Sequence, residues 1–185
     1  QSSWYLANLD NLDVVKLLSR VIMDLAEGEI RQGLKYFDTS LSIDAYLDKS
    51  YYKTATLIAN SAKAVGVLSN VSELLAEDLY QFGRSLGLAY QVVDDILDFT
   101  GSADILGKPA GSDLRSGNLT APVLYAMEEV PYLKTLIERE FSQPEDFEQA
   151  LDLVHNSQGI TRARALATHH AQHAVERLGA LPPSP

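Results

Sequence analysis

The residues best suited to chemistry lie in one run, Gln91-Val92-Val93-Asp94-Asp95-Ile96-Leu97-Asp98. On a helix, Asp94 and Asp98 stand one turn apart on the same face, with Gln91 one turn before Asp94 on nearly that face. Asp95 is rotated by about 100° from Asp94 and still flanks the stripe. Like charges at this spacing repel by roughly a few tenths of a kcal/mol, and a bound cation offsets that repulsion. The donors are all oxygen, which favours Mg²⁺ or Mn²⁺ over zinc. Magnesium is usually held by one or two carboxylates, with substrate phosphate and water completing its shell. Apolar neighbours such as Leu88, Val92, Val93, Ile96 and Leu97 surround the acids, so a cavity rather than a solvated face is expected around them. By pattern alone, an acidic helix end at a surface is the alternative.

Two further segments carry charge in unusual settings. Gly107-Lys108-Pro109-Ala110-Gly111-Ser112-Asp113-Leu114-Arg115 is a glycine-rich loop with two cations, able to bring Lys108 over a diphosphate held by the aspartates. It lacks Walker spacing. Tyr51-Tyr52-Lys53-Thr54-Ala55 puts a lysine and a hydroxyl at the entry to a helix rich in small residues. Taken singly, the first is an ordinary loop and the second a snorkelling surface lysine.

The elements that must position these residues are helical throughout. Val14, Val15, Leu18, Val21, Ile22 and Leu25 recur at three- and four-residue steps. Asn8 or Asn11 is expected to cap that helix, and Gly28 to loosen it without ending it. Phe37 to Leu41 reads as a loop, and Ser42 as the cap of a short turn through Tyr46. A helix from about Tyr51 to Leu68 carries Ala55, Ala59, Ala62 and Ala64, which permit close approach of a neighbour. Asn70 with Glu73 matches a capping box opening a long helix from Val71 to Phe99. Gly83 and Gly87 sit on one face of it, and close packing is their expected role. The four glycines and one proline between 101 and 118 predict a loop. Helices are then expected from Thr120 to Glu128, Tyr132 to Phe141, Pro144 to His155 and Ile160 to Leu178. The expected architecture is one all-α domain over residues 1–185.

The net charge of −10 argues against a nucleic-acid binder, which needs a basic face for phosphates. For an enzyme of anionic substrates it is the wrong sign, unless a divalent cation converts the clustered carboxylates into a phosphate site. There is no cysteine, so disulfides and thiolate metal sites are excluded. No apolar run reaches the roughly 18 residues that span a bilayer, and no secretory leader is expected. Both ends read as unfinished, as in a fragment.

Together the motifs resemble the trans-isoprenyl diphosphate synthases. In order, they are Gly28-Glu29 with Gln32, then Tyr51 with Lys53-Thr54-Ala55, then Gln91 with Asp94-Asp95 and Asp98, then Gly107-Lys108-Pro109 and Asp113-Leu114-Arg115. The likeness runs roughly from residue 1 to 180. The opening run Gln1 to Leu9 and the stretch Leu106 to Ala126 are most similar to the solanesyl diphosphate synthase branch of cyanobacteria and plastids.

The resemblance implies antiparallel helices around a deep central cavity, here incomplete. It also implies Mg²⁺-dependent addition of isopentenyl diphosphate to an allylic diphosphate, with a long all-trans polyprenyl diphosphate, solanesyl in this branch, as product. Carried over by position, Asp94 binds Mg²⁺ directly and Asp95 and Asp98 hold its water ligands. Lys53 and Lys108 contact the allylic diphosphate, and Thr54 and Gln91 present oxygen atoms to the cation formed in the reaction. Glu29 and Gln32 belong to the cavity region, and Arg115 is at most a loop cation. A family lysine expected near Asn118 is absent. So are the first aspartate-rich motif, the isopentenyl-binding cations and the last helix, and elongation by the isolated chain is therefore not expected. A homodimer, peripheral membrane contact, and a cytoplasmic (bacterial) or plastid (plant) setting are further implications.

Two rival readings are a class I terpene cyclase and a non-catalytic partner subunit of a heteromeric prenyl synthase. The cyclase motif mixes Asn, Ser or Thr with Glu, and partner subunits lose metal-binding acids; Asp94, Asp95 and Asp98 fit neither. His169, His170 and His173 place two imidazoles on one helix face, a spacing able to bind zinc. With no acid or cysteine set beside them, a solvated face is expected.

Overall fold

A computed structural model describes residues 2–33, 36–101, 110–179 and 181. Helix α1 (Ser2–Ala7) leads into α2 (Leu12–Gly33). Asn11 is the cap that starts α2: its Oδ1 accepts the backbone N–H of Val14 at 3.1 Å. Gly28 lies inside α2 without ending it. Ser42 opens α3 (Ile43–Ser50), accepting from the N–H of Ala45. The short turn expected to end at Tyr46 is instead the start of a long rod. Helix α3 passes through a π-helical turn (Tyr51–Ala55) directly into α4 (Thr56–Leu68). Buried Tyr46 and Ser50 anchor α3 to the interior, so the rod continues where sequence reading saw a break.

Helix α5 (Glu73–Thr100) is the longest element. Its cap is Ser72, which accepts from Leu75 N–H, not Asn70. Asn70 has a φ of 53°, and this left-handed turn ends the preceding helix. A short helix α6 (Ser112–Arg115) lies within the stretch read as loop. It is followed by α7 (Ala121–Glu129), α8 (Tyr132–Glu138), α9 (Asp146–Asn156) and α10 (Gly159–Leu178). No strand occurs among the described residues, and none of the helices searched is long and apolar enough to cross a membrane.

Two helices flank α5, both antiparallel to it. On one side, a Cβ at Gly83 would lie 2.8 Å from Ala59 Cα, and one at Gly87 would lie 2.6 Å from Ala55 Cα. Larger side chains would push α4 away, so close packing accounts for both glycines. On the other side α10 is held by Ser85 to His173 (2.8 Å) and Arg177 to Asp78 (3.2 Å). His170 departs from the solvated face expected of it. It is half-buried towards α5, its Nε2 lacks a partner among the described residues, and burial lowers its pKa to about 4. Val92, Ile96 and Phe99 of α5 join Leu114, Leu124, Leu133, Leu136 and Val154 in the main core. The C-terminal half of α5 is thereby clamped, which gives the aspartate run a rigid base.

Candidate active site

The helical spacing of the aspartate run is realised on α5, and its three acids meet three different environments. Asp94 is exposed and makes no side-chain hydrogen bond or ion pair among the described residues. It shares its open face with Tyr90, Val93 and Leu97, which are 63%, 45% and 44% exposed. Asp95 is buried. Tyr46 donates its hydroxyl to Asp95 Oδ2 at 2.5 Å, and Gln91 Nε2 donates to Oδ1 at 2.9 Å. Asp98 is also buried; it accepts from Ser112 Oγ at 2.7 Å and from Asp113 N–H at 3.0 Å. Asp98 thus serves as a side-chain cap for α6, satisfying an N–H that the short helix leaves open.

Gln91 links this cluster to the Lys53-Thr54 segment. Thr54 Oγ1 donates to Gln91 Oε1 at 2.6 Å, although 37 residues separate them. The line Thr54–Gln91–Asp95–Tyr46 therefore joins the π-helical turn, α5 and α3. An ionised Asp95 accepts only, so it takes the amide NH₂ of Gln91 and turns Oε1 towards Thr54. Burial is the main influence on Asp95 and pushes its pKa up to about 6, while the hydrogen bonds from Tyr46 and Gln91 oppose that rise. Burial, followed by the charge of Asp95, raises the Tyr46 hydroxyl well above its ordinary range.

Lys53 is exposed on the π-helical turn, one residue before Thr54. The turn is seated against α2 at Gly28, where a Cβ would lie 3.1 Å from the Tyr52 backbone. Glu29, next in α2, is exposed. A cavity of about 490 Å³ adjoins the turn, lined by Arg20, Asp24, Tyr51, Tyr52, Tyr80 and Arg84 among others. It shares the turn's tyrosines, but no member of the aspartate run lines it. Arg115 points elsewhere: its guanidinium stacks 3.8 Å from the Phe147 ring centroid and lies 3.7 Å from Glu148. Lys108, Gly107 and Pro109, and the side chain of Gln32, lie outside the described residues.

The donor set suits a hard divalent cation. Every candidate ligand is oxygen, Asp94 is open to solvent, and hydroxyl, amide and backbone groups donate to the other two acids. No group of three or more acidic, histidine or cysteine side chains converges as a ready metal cage among the described residues. An all-oxygen donor set fits magnesium, which takes few protein ligands and completes its shell with water and phosphate.

Sequence reading missed Tyr46, 49 positions from the carboxylate it holds. Its type and helical position carried no signal, because the π-helical turn shifts the phase between it and Lys53.

The polyprenyl synthetase family matches residues 1–154. The chain belongs to that family. A prenyl transferase of Synechocystis sp. is 62% identical over 98% of this chain and 56% of its own length. A chloroplastic solanesyl-diphosphate synthase of Oryza sativa subsp. japonica is 53% identical over 100% of this chain and 46% of its own. Among solved structures, the apo form of an Arabidopsis medium/long-chain length prenyl pyrophosphate synthase superposes with a TM-score of 0.89. It is 43% identical and covers 99% of this chain and 61% of its own. The chain spans about half the length of these curated relatives. The expected all-α polyprenyl synthase fold is thus the observed one, and the motif order that suggested it lies mostly within the matched residues.

Proposed function

We propose that this polyprenyl synthetase chain carries the Asp94-Asp95-x-x-Asp98 half of a Mg²⁺-dependent prenyltransferase site. The reaction adds isopentenyl diphosphate to an allylic diphosphate, 1′ to 4 and head to tail. It yields a long all-trans polyprenyl diphosphate, solanesyl by likeness to the plastid relatives. The observation that carries this reading is the hydrogen-bonded line from Thr54 through Gln91 and Asp95 to Tyr46, which locks oxygen atoms beside an exposed carboxylate and an exposed lysine.

Bound Mg²⁺ supplies Lewis-acid stabilisation of the departing allylic diphosphate. Asp94 would hold it, and Asp95 and Asp98 would hold its water ligands. Lys53 and Lys108 bind the diphosphate oxygens. Gln91 Oε1 and Thr54 Oγ1 present lone pairs to positive charge developing on the allylic carbon, and their mutual hydrogen bond spares them reorganisation at that moment. Tyr90, Val93 and Leu97 give the face beside Asp94 an apolar surface for hydrocarbon. A homodimer, peripheral membrane contact and a cytoplasmic (bacterial) or plastid (plant) location belong to the same reading.

The test follows incorporation of labelled isopentenyl diphosphate, with farnesyl or geranylgeranyl diphosphate and Mg²⁺, by this chain and by the chain extended upstream. Elongation by the extended chain alone is expected. Elongation by neither, or only after mixing with a second subunit, would overturn the reading. A hydrocarbon product would point to a cyclase.

A further inference from the structure

We propose, on the strength of the prenyltransferase reading above, that Tyr80 is a positioning residue for Lys53 and Thr54, acting through the hydroxyl of Tyr51. Tyr80 belongs to none of the motifs. It lies on α5 about three helical turns before Gln91, on the same face. Its hydroxyl is 2.6 Å from that of Tyr51, the first residue of the π-helical turn, although 29 positions separate them. Both residues are half-buried. Burial, followed by the bond to Tyr51, raises the Tyr80 hydroxyl above its ordinary range, so Tyr80 keeps its proton near neutral pH.

The π-helical turn is closed by Thr56, whose N–H donates to Tyr51 O. Lys53 and Thr54 lie inside that ring, which is one residue wider than an α-helical turn. Such turns are rare within α-helices, and this one is anchored at three points. At its start, Tyr51 is tied to Tyr80. Near its end, Thr54 is tied to Gln91. Just past it, Thr56 donates to the buried Asp24 Oδ2 of α2 at 2.7 Å.

The Tyr51 ring is supported on two sides. The Arg84 guanidinium lies 5.8 Å from its centroid, within cation–π range, and the Tyr52 ring meets it edge-on at 5.3 Å. The first two anchors both end on α5, so Lys53 stands between two ties to one rigid helix. Removing the Tyr80 hydroxyl releases the start of the turn and leaves the Thr54 and Thr56 anchors in place. Lys53 then loses its fixed approach to the diphosphate, and Thr54 its aim at developing charge, because small misplacements of positioning groups are costly in rate.

The test compares Tyr80→Phe with Ser85→Ala in the full-length protein. Each removes one hydroxyl from α5, and Ser85, which faces His173 on α10, is the control for stability. Amide hydrogen exchange at residues 51–56 should quicken about fivefold in Y80F, the scale of one lost hydrogen bond, and stay unchanged in S85A. With Mg²⁺, Y80F should lower kcat about fivefold and raise KM for the allylic diphosphate, leaving KM for isopentenyl diphosphate unchanged. S85A should keep all three at wild-type values. Tyr51→Phe removes the same bond from the other side, so Y51F and the double variant should match Y80F and not add to it. Exchange or kinetics in Y80F equal to those of S85A would overturn the inference alone, as would additive losses in the double variant. No Mg²⁺-dependent elongation by wild type would overturn the functional reading and this inference with it.

Discussion

The two flanks of α5 are built differently. Towards α3, α4 and the π-helical turn, the helix presents Gly83, Gly87, Gln91 and Asp95, and the backbones nearly touch. Towards α10 it presents Ser85 to His173, with His170 half-buried nearby and its Nε2 unpartnered among the described residues. The first flank leaves no slack, so Thr54 and Gln91 are held where a reaction needs them. The second flank is an ordinary helix interface that carries polar imperfections. Precision is concentrated where chemistry is proposed, and each flank carries one buried titratable group, Asp95 on the first and His170 on the second.

The largest effect expected comes from Asp94→Asn. Elongation by the full-length protein should fall about a hundredfold or more, the scale of losing an electrostatic contact to developing charge. Because Asp94 is exposed and has no partner among the described residues, the melting temperature should not move. A large loss of stability would break the contrast between the two flanks.

Gly87→Val should affect both properties. Its side chain would meet Ala55, and overpacking of this kind costs about 1–3 kcal/mol. Urea unfolding measures that cost. The displaced turn should also lengthen the Thr54 to Gln91 contact, so turnover should fall more than stability alone explains.

A change on the α10 flank should appear as a pH effect on stability only. Burial holds the folded-state pKa of His170 near 4, below the ordinary value of 6.5. At His170 the unfolded chain therefore binds more protons between those values, so its contribution to stability falls as pH drops from about 6.5 towards 4, while the raised pKa of Asp95 gives the opposite slope below about 6. His170→Gln should flatten that part of the profile of melting temperature against pH and leave diphosphate binding intact at pH 8. An unchanged profile would show that His170 does not contribute.

Tyr46→Phe is the mildest change. It removes one hydroxyl from Asp95 while keeping the buried ring, costing about 1 kcal/mol of stability. Affinity for Mg²⁺ with diphosphate should fall only several-fold, since Gln91 still holds the other carboxylate oxygen. A loss as large as that of Asp94→Asn would remove the distinction between the open carboxylate and the buried one.

Much of the molecule could be read without coordinates. The helical periods, a cap at Asn8 or Asn11 and the tight packing at Gly83 and Gly87 follow from local patterns, because capping and face periodicity depend on residues within a turn or two, and the structure selects Asn11. The aspartate run and its helical spacing are equally local. The cap at Ser72 was misread as Asn70 because both residues suit the role. Only the left-handed conformation of Asn70 decides between them.

What the sequence alone determined is which residues carry oxygen and charge, and that they ride on helices in a family-specific order. Only the tertiary structure decided how the acids divide their work: Asp94 open, Asp95 held by Tyr46 and Gln91, and Asp98 capping α6. It also decided that α3 runs on into α4, and that Lys49 meets Asn118 across 69 positions of chain. The physical reason is that burial and hydrogen-bond partnership are set by elements distant in sequence, whereas helical phase is set by the residues themselves.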